Sequence, residues 1–158
     1  MLTWVSKYWR RNELSSNNHP PNSFFPRSQF HRSSATLDAE AWCQDFYTDD
    51  IELRYANQPV LKGADVRNMF GQVFPQLEKM THDVEYFDYV APKIYQAASI
   101  RYRVKGDDPA TEDIAIPGFA TFFVRDDDEG KLKCYRADIF LDPSPVFQRI
   151  AERNAEKV

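Results

Sequence analysis

The sequence predicts one α+β domain in which a curved antiparallel or mixed β-sheet wraps around helices like a cone and encloses a pocket. Three observations predict it. Helical spacing is confined to the first half of the chain and its end, while the later segments alternate with a period of two, the order of α+β rather than α/β folds. The chain has 158 residues, 42% of them hydrophobic, enough for a single domain with a core. Aromatic residues make up 15%, with 12 Phe, 8 Tyr and 3 Trp, and such residues fill cores and line cavities because each buries a large area while Tyr and Trp keep a polar handle.

Residues 1–35 are rich in Ser, Asn, Pro and Arg, and Pro20, Pro21 and Pro26 break any long periodic element. They read as an extension ahead of a domain at 36–150, with 151–158 as a tail. Three readings of the extension compete: a disordered tail, a mitochondrial transit peptide, or a packed helix with Leu2, Val5 and Trp9 on its apolar side. From Thr36 the pattern is orderly. Thr36 can cap a short helix whose first turn carries Asp38 and Glu40 and whose apolar side is Leu37, Trp42 and Phe46. IELRYAN then alternates Ile51, Leu53, Tyr55 and Asn57 against Glu52, Arg54 and Ala56, which places Tyr55 and Asn57 on one inward face.

Gly63 opens a second helix with Val66, Met69, Phe70, Val73, Phe74 and Leu77 at helical spacing, and Pro75 must kink or end it. A strand follows from Val84 to Val90. KIYQAASIRYRVK separates Ile94, Gln96, Ala98, Ile100, Tyr102 and Val104 from Lys93, Arg101, Arg103 and Lys105, so Gln96 is the odd polar member of an inward face. In DIAIPGFATFFV, Ile114, Ile116, Gly118, Ala120, Phe122 and Val124 share one side, and Pro117-Gly118 suggests a bulge. LKCYRADIFLD forms the last strand, and Ser144-Pro145 starts a terminal helix.

Charge and composition exclude several classes. The net charge is −4, but residues 1–36 hold five of the 20 Lys/Arg and one of the 24 Asp/Glu, so the rest of the chain is near −8. That balance argues against nucleic acid as a partner. Cys43 and Cys134 stand alone, without CxxC or a disulfide framework, and read as free, partly buried thiols. No apolar run approaches the roughly 18 residues of a membrane span. A soluble, cytoplasmic protein is expected, or a mitochondrial one if the transit reading holds. Neither GxGxxG, P-loop, GxSxG nor paired His or Cys at metal spacing occurs, so no metal or other cofactor is expected.

The stretches FYTDDIELRYANQPVLKG, THDV, IPGFATFFV and LKCYRADIFLDPSPVF, in this order and spacing, resemble the SnoaL-like families of the nuclear-transport-factor-two-like superfamily, over about Thr36 to Phe147. The superfamily includes polyketide cyclases, ketosteroid isomerase, scytalone dehydratase, limonene epoxide hydrolase, fungal meroterpenoid isomerases and proteins that only bind or dimerise. A fold is not an activity, so the sites decide. Ketosteroid isomerase has its general-base Asp where this chain has Tyr55. The Tyr-x-Asn of limonene epoxide hydrolase is matched by Tyr55 and Asn57, but its Arg and Asp align with Ala98 and Ile100, and its other Asp with Ala137, or with Asp138 if the last strand is shifted. Scytalone dehydratase has a strand Tyr and a catalytic His matched by Tyr55 and His82, while its second His and its Asn have no counterpart. The resemblance thus implies the looser isomerase and cyclase classes, and a homodimer.

Three residues are candidates for chemistry. His82, with an ordinary pKa near 6.5, is the candidate general base, against the plainer role of bonding to backbone. Tyr55, almost wholly protonated at neutral pH, suits donation to a developing oxyanion, or a buried structural hydroxyl. Asp138 shares an alternation face with Cys134 and Phe140 and either lines the cavity as a proton carrier or is held ionised by Arg136. For binding, Asn57 and Gln96 offer polar contacts, with Asn57 equally suited to a turn, and Phe70, Phe74, Ile100, Ile116 and Phe122 supply apolar walls. Two functions follow: a cofactor-free isomerase, cyclase or dehydratase of secondary metabolism acting on a small apolar, polyketide- or terpenoid-like molecule, or a non-catalytic ligand-binding or dimerisation module whose cavity those apolar side chains fill.

Overall fold

The computed structural model describes residues 27–110 and 113–156. Helix α1 (Arg27–Ser34) is followed by α2 (Ala39–Phe46), β1 (Tyr47–Tyr55), the short β2 (Leu61–Lys62), α3 (Ala64–Val73), a 3₁₀ turn (Phe74–Gln76), β3 (Leu77–Val90), β4 (Lys93–Val104), β5 (Ile114–Asp126), β6 (Leu132–Phe140) and α4 (Ser144–Ala155). The six strands form one sheet in the order β2-β1-β6-β5-β4-β3. Only β1 and β6 run parallel. The expected α+β architecture with a mixed sheet is what the chain adopts.

Local chemistry sets the helix ends. Asp38, rather than Thr36, caps α2, its Oδ1 accepting from the Ala41 N–H at 3.0 Å. The Thr36 hydroxyl is engaged one turn back, donating to the Ser33 carbonyl at 2.7 Å. Pro75 ends α3 in the 3₁₀ turn, and the chain turns extended at Leu77, so β3 begins seven residues before the expected Val84. On β4 the period of two is clean: Gln96, Ala98, Ile100, Tyr102 and Val104 are buried.

The sheet bends at register shifts that differ from the expected one. Pairing of β4 with β5 runs without a break through Ser99↔Pro117 and Ala98↔Gly118, so there is no bulge there. The β5–β6 ladder ends at Phe119↔Phe140, which leaves Pro117 a strand neighbour on one side only, as suits a residue without an N–H. Shifts occur instead between Leu77 and Lys79 and between Val84 and Tyr86 on β3, and opposite Phe123 and Val124 on β6. Such shifts add local twist, and a strongly twisted sheet can curl around helices.

The packed unit starts before Thr36. α1 falls inside the stretch read as an extension, yet Phe30 is only 5% exposed and sits at the centre of the core. Its ring meets Trp42 at 5.1 Å, Phe46 at 5.2 Å and Phe122 at 5.6 Å between centroids. Each such pair is worth about 0.5–1.5 kcal/mol beyond its area, so Phe30 ties α1 to α2 and to the sheet. The readings made for residues 1–26, including the helix with Leu2, Val5 and Trp9, lie outside the described residues.

At the other end, α4 runs through most of the expected tail. Val146 is buried, and the Asp107 side chain, fully enclosed, accepts from Arg149 Nε at 2.9 Å, Arg153 Nε at 2.7 Å and the Val104 N–H at 3.3 Å. Burial opposes ionisation of Asp107, but the hydrogen bonds from Arg153 and Arg149 outweigh it and hold the carboxyl below its ordinary range. This clamp fixes α4 to the β4–β5 turn. Cys43 and Cys134 are free and buried, and burial pushes their thiols up to about 11 and about 12. No helix among the described residues is long and apolar enough to cross a membrane.

Candidate functional site

A cavity of about 90 Å³ lies between the inner face of the sheet and the helices. Aromatic rings from α1, α2, α3 and the 3₁₀ turn wall it, among them Phe30, Trp42, Phe70 and Phe74. Its sheet side is kept low by small residues, Ala98 on β4 and Gly118 and Ala120 on β5. A Cβ at Gly118 would sit 3.1 Å from Ile100 Cδ1, so the glycine keeps β5 clear of that side chain. Two lining rings are also exposed, Phe119 at 38% and Phe147 at 43%, and they mark the mouth.

Polar groups reach this apolar space from three directions. Tyr55, last residue of β1, and Tyr102 on β4 both line the cavity, and each phenol acts on the other's pKa. Burial raises both phenols above their ordinary pKa, so both stay protonated and act as donors. His82 lies on β3 opposite Ile100, two positions from the Met80↔Tyr102 pair. Its ring packs on His31 of α1, with centroids 4.5 Å apart and an interplanar angle of 32°. His31 Nε2 donates in turn to Gln96 Oε1 at 3.1 Å.

His82 is held neutral. Burial, reinforced by the neighbouring His31, lowers its pKa from 6.5 to about 3, against a weaker opposing pull from Asp83. Asp83 points its charge at Arg101, at 2.8 Å. His82 Nδ1 is buried without a hydrogen-bond partner in the protein. His82, Tyr55 and Tyr102 all line the cavity, and a neutral imidazole can take a proton while a protonated phenol meets a developing oxyanion.

Of the residues singled out from the sequence, Tyr55, His82, Gln96, Phe70, Phe74, Ile100 and Phe122 line this cavity. Ile116, Asn57 and Asp138 do not. Ile116 is buried at 4% but packs in the core opposite Ile100. Asn57 is exposed because β1 ends one residue after Arg54, at Tyr55. Ala56 turns to a positive φ of 52°, its N–H donates to the Ile139 carbonyl at 2.9 Å, and the Gln58 N–H closes a turn on Tyr55 at 3.1 Å.

Asp138 is displaced by the β6 irregularity. Phe123 pairs with Arg136 and Val124 with Cys134, so Tyr135 is an extra residue and the alternation changes phase across it. Cys134 and Ala137 both end up fully buried, while Arg136 and Asp138 face out, bonded to each other at 2.8 Å with Arg54 at 4.0 Å. The Arg136 guanidinium also covers the Phe123 ring at 4.7 Å. The ion-pair role for Asp138 thus replaces the cavity role.

Several cavity groups were not singled out. Tyr102 stood on the inward face of its strand and was legible there. Tyr47, 2% exposed, opens β1 and carries no motif that would single it out. His31 lies in the stretch that reads as an extension, outside the domain expected at 36–150.

No protein-family model matches the sequence, and no curated protein does. Solved structures do match the fold. ActVI-ORFA from Streptomyces coelicolor superposes with a TM-score of 0.61 at 11% identity, over 73% of this chain and 91% of that one. A scytalone dehydratase candidate from Novosphingobium aromaticivorans gives 0.60 at 16%, over 73% and 78%. A SnoaL-like polyketide cyclase candidate from Shewanella denitrificans gives 0.58 at 14%, over 80% and 94%. The chain shares the fold of these structures, as the sequence resemblance implied.

Proposed function

We propose that this SnoaL-like chain holds a small, largely apolar, polyketide- or terpenoid-like molecule and moves a proton on it as an isomerase, cyclase or dehydratase. The observation that carries the reading is the convergence of the neutral His82 imidazole and two protonated phenols on one aromatic-walled cavity. His82 takes the proton, His31 and Gln96 orient its ring, and Tyr55, backed by Tyr102, donates to the oxygen on which charge develops. These groups suffice for proton transfer. Structural neighbours described as a polyketide cyclase candidate and a scytalone dehydratase candidate support the class.

The test is exchange of α-protons for deuterium on a panel of cyclic ketones, followed by turnover of any ligand that mass spectrometry finds carried through purification. His82→Ala should lower the rate about 100- to 10,000-fold, and Asp138→Asn should leave it unchanged. The acid limb of kcat/KM should fall well below pH 6.5, since the free-enzyme base has a pKa of about 3. Full turnover by His82→Ala would sink this assignment.

A second reading is a binding or dimerisation module without chemistry. The cavity volume of about 90 Å³ favours it, being smaller than the roughly 150 Å³ that accepts a benzene ring. Under either reading a homodimer would pair through the outer sheet face, and sedimentation would report it.

A further inference from the structure

The proton-transfer scheme uses one end of the Gln96 side chain and leaves the other. Gln96 is 6% exposed, stands on the inward face of β4 and lines the cavity. Its Oε1 is taken by His31 Nε2 at 3.1 Å. The amide nitrogen, Nε2, has no hydrogen-bond partner among the described residues. It is also not sealed in, unlike Trp42 Nε1 and Tyr47 Oη, which keep almost no open surface. On a side chain otherwise enclosed by the core, the surface that Nε2 keeps opens on the cavity.

Room for a ligand atom lies beside it. Across the β4–β5 ladder Gln96 faces Ala120, and the next inward pair is Ala98 with Gly118. No side chain of those three extends past Cβ, so the sheet has a recess next to the amide. A buried amide N–H left unmet costs stability that Leu or Met in its place would not, and an amide nitrogen can only donate. The recess is therefore matched to an acceptor. No Lys, Arg, Asp or Glu is among the described residues that line the cavity, so an ionised oxygen would find no counter-charge and the acceptor is neutral. The volume sets its shape. Against the roughly 150 Å³ that takes a benzene ring, about 90 Å³ admits about three or four non-hydrogen atoms, an open-chain end rather than a ring.

We propose that Gln96 Nε2 and the recess over Ala98, Gly118 and Ala120 form a subsite for a neutral acceptor oxygen on an open-chain end of the ligand, whose remainder leaves past Phe119 and Phe147 at the mouth. The proposal rests on reading the cavity as a ligand site, and it narrows the ligand to one that carries such an end.

The probes are acetonitrile, a narrow rod with an acceptor and no donor, and xenon, a single atom with neither. Proton–nitrogen NMR follows the Gln96 side-chain amide, assigned through its own backbone signals. In the native chain acetonitrile should move those amide protons downfield. Xenon should shift the methyl signal of Met80, another lining residue, and leave the amide in place. Gln96→Leu, read from the same methyl, should weaken acetonitrile binding about 5-fold and leave xenon within twofold. The amide shift is read on the unmodified protein, so it decides the question even if the variant folds poorly. If xenon binds but acetonitrile leaves the amide unmoved, or binds Gln96→Leu as tightly as the native chain, the subsite is wrong and the pocket reading survives. Should neither probe bind, both fall.

Discussion

Replacing His82 with Leu removes a group whose burial should make the protein sensitive to mild acid. In the unfolded chain the imidazole has its ordinary pKa of 6.5, and in the fold about 3. Above pH 6.5 both states are neutral, and the group costs nothing. As the pH falls below 6.5 the unfolded chain takes up a proton that the fold refuses, so stability drops by about 1.4 kcal/mol per unit until the folded value is reached. From pH 7 to pH 5 the loss is about 2 kcal/mol, out of a total typically of 5–15 kcal/mol. In urea this shifts the unfolding midpoint by about 1 M, for a slope near 2 kcal/mol per molar.

His82→Leu should lose this component while keeping whatever the carboxylates contribute. The charged and titratable groups facing His82 are His31 and Asp83, and Asp83 is engaged by Arg101. Urea titrations of both proteins at pH 7, 6 and 5 make the comparison, with the midpoint of the variant expected to move about 1 M less than that of the native chain. Equal shifts in the two proteins would refute the argument, because His82 would then be solvated enough to titrate in the fold as it does outside it.

Two other substitutions probe the frame around the site. Asp107→Asn removes the enclosed carboxylate that Arg149 and Arg153 share, and with those guanidinia 25% and 21% exposed and still paired with Glu152 and Glu156 the loss should be about 2–3 kcal/mol, below the cost of breaking a fully buried pair. Calorimetry should show the melting temperature falling by about 5–10 °C, and hydrogen exchange should quicken in α4. Because the folded pKa of Asp107 is depressed, its contribution is present at neutral pH and disappears as the pH falls below the ordinary carboxyl range. Phe30→Ala should cost about 3–5 kcal/mol, measured by urea unfolding, whereas a loss below about 1 kcal/mol would mean that α1 adds little to the core.

The period-two segments were the most legible part of the chain. β4 reads off the sequence almost residue by residue, since Gln96 to Val104 alternate without interruption, and Tyr55 reaches the cavity as its spacing suggested, while His82 does so on a strand that begins earlier than expected. Failures sit where the backbone leaves its period. Asn57 was carried inward by an alternation that stops at Ala56, and Asp138 by one that changes phase at Tyr135. Neither event has a strong local signal, whereas Pro117-Gly118, which has one, is accommodated without a shift. His31 was missed for another reason: α1 is polar by composition, and it is Phe30, a single anchoring ring, that commits it to the core.

The extra residue at Tyr135 bears on how this chain can change length. Insertions and deletions are ordinarily confined to loops, because within a strand they turn every following side chain over. In β6, losing Tyr135 would restore an unbroken register against β5 and keep Cys134 and Ala137 facing the core, while β1, whose register against β6 also shifts between Tyr47 and Glu52, would have to adjust. Loss of Arg136 would leave the same spacing, whereas a deletion at Ala137 would bring Asp138 to the inward position. The middle of a central strand thus contains a site where the gene can lose a codon and the interior keep its lining, at the cost of the outward Tyr135 contacts to Phe123 and Arg125 and of a new register against β1.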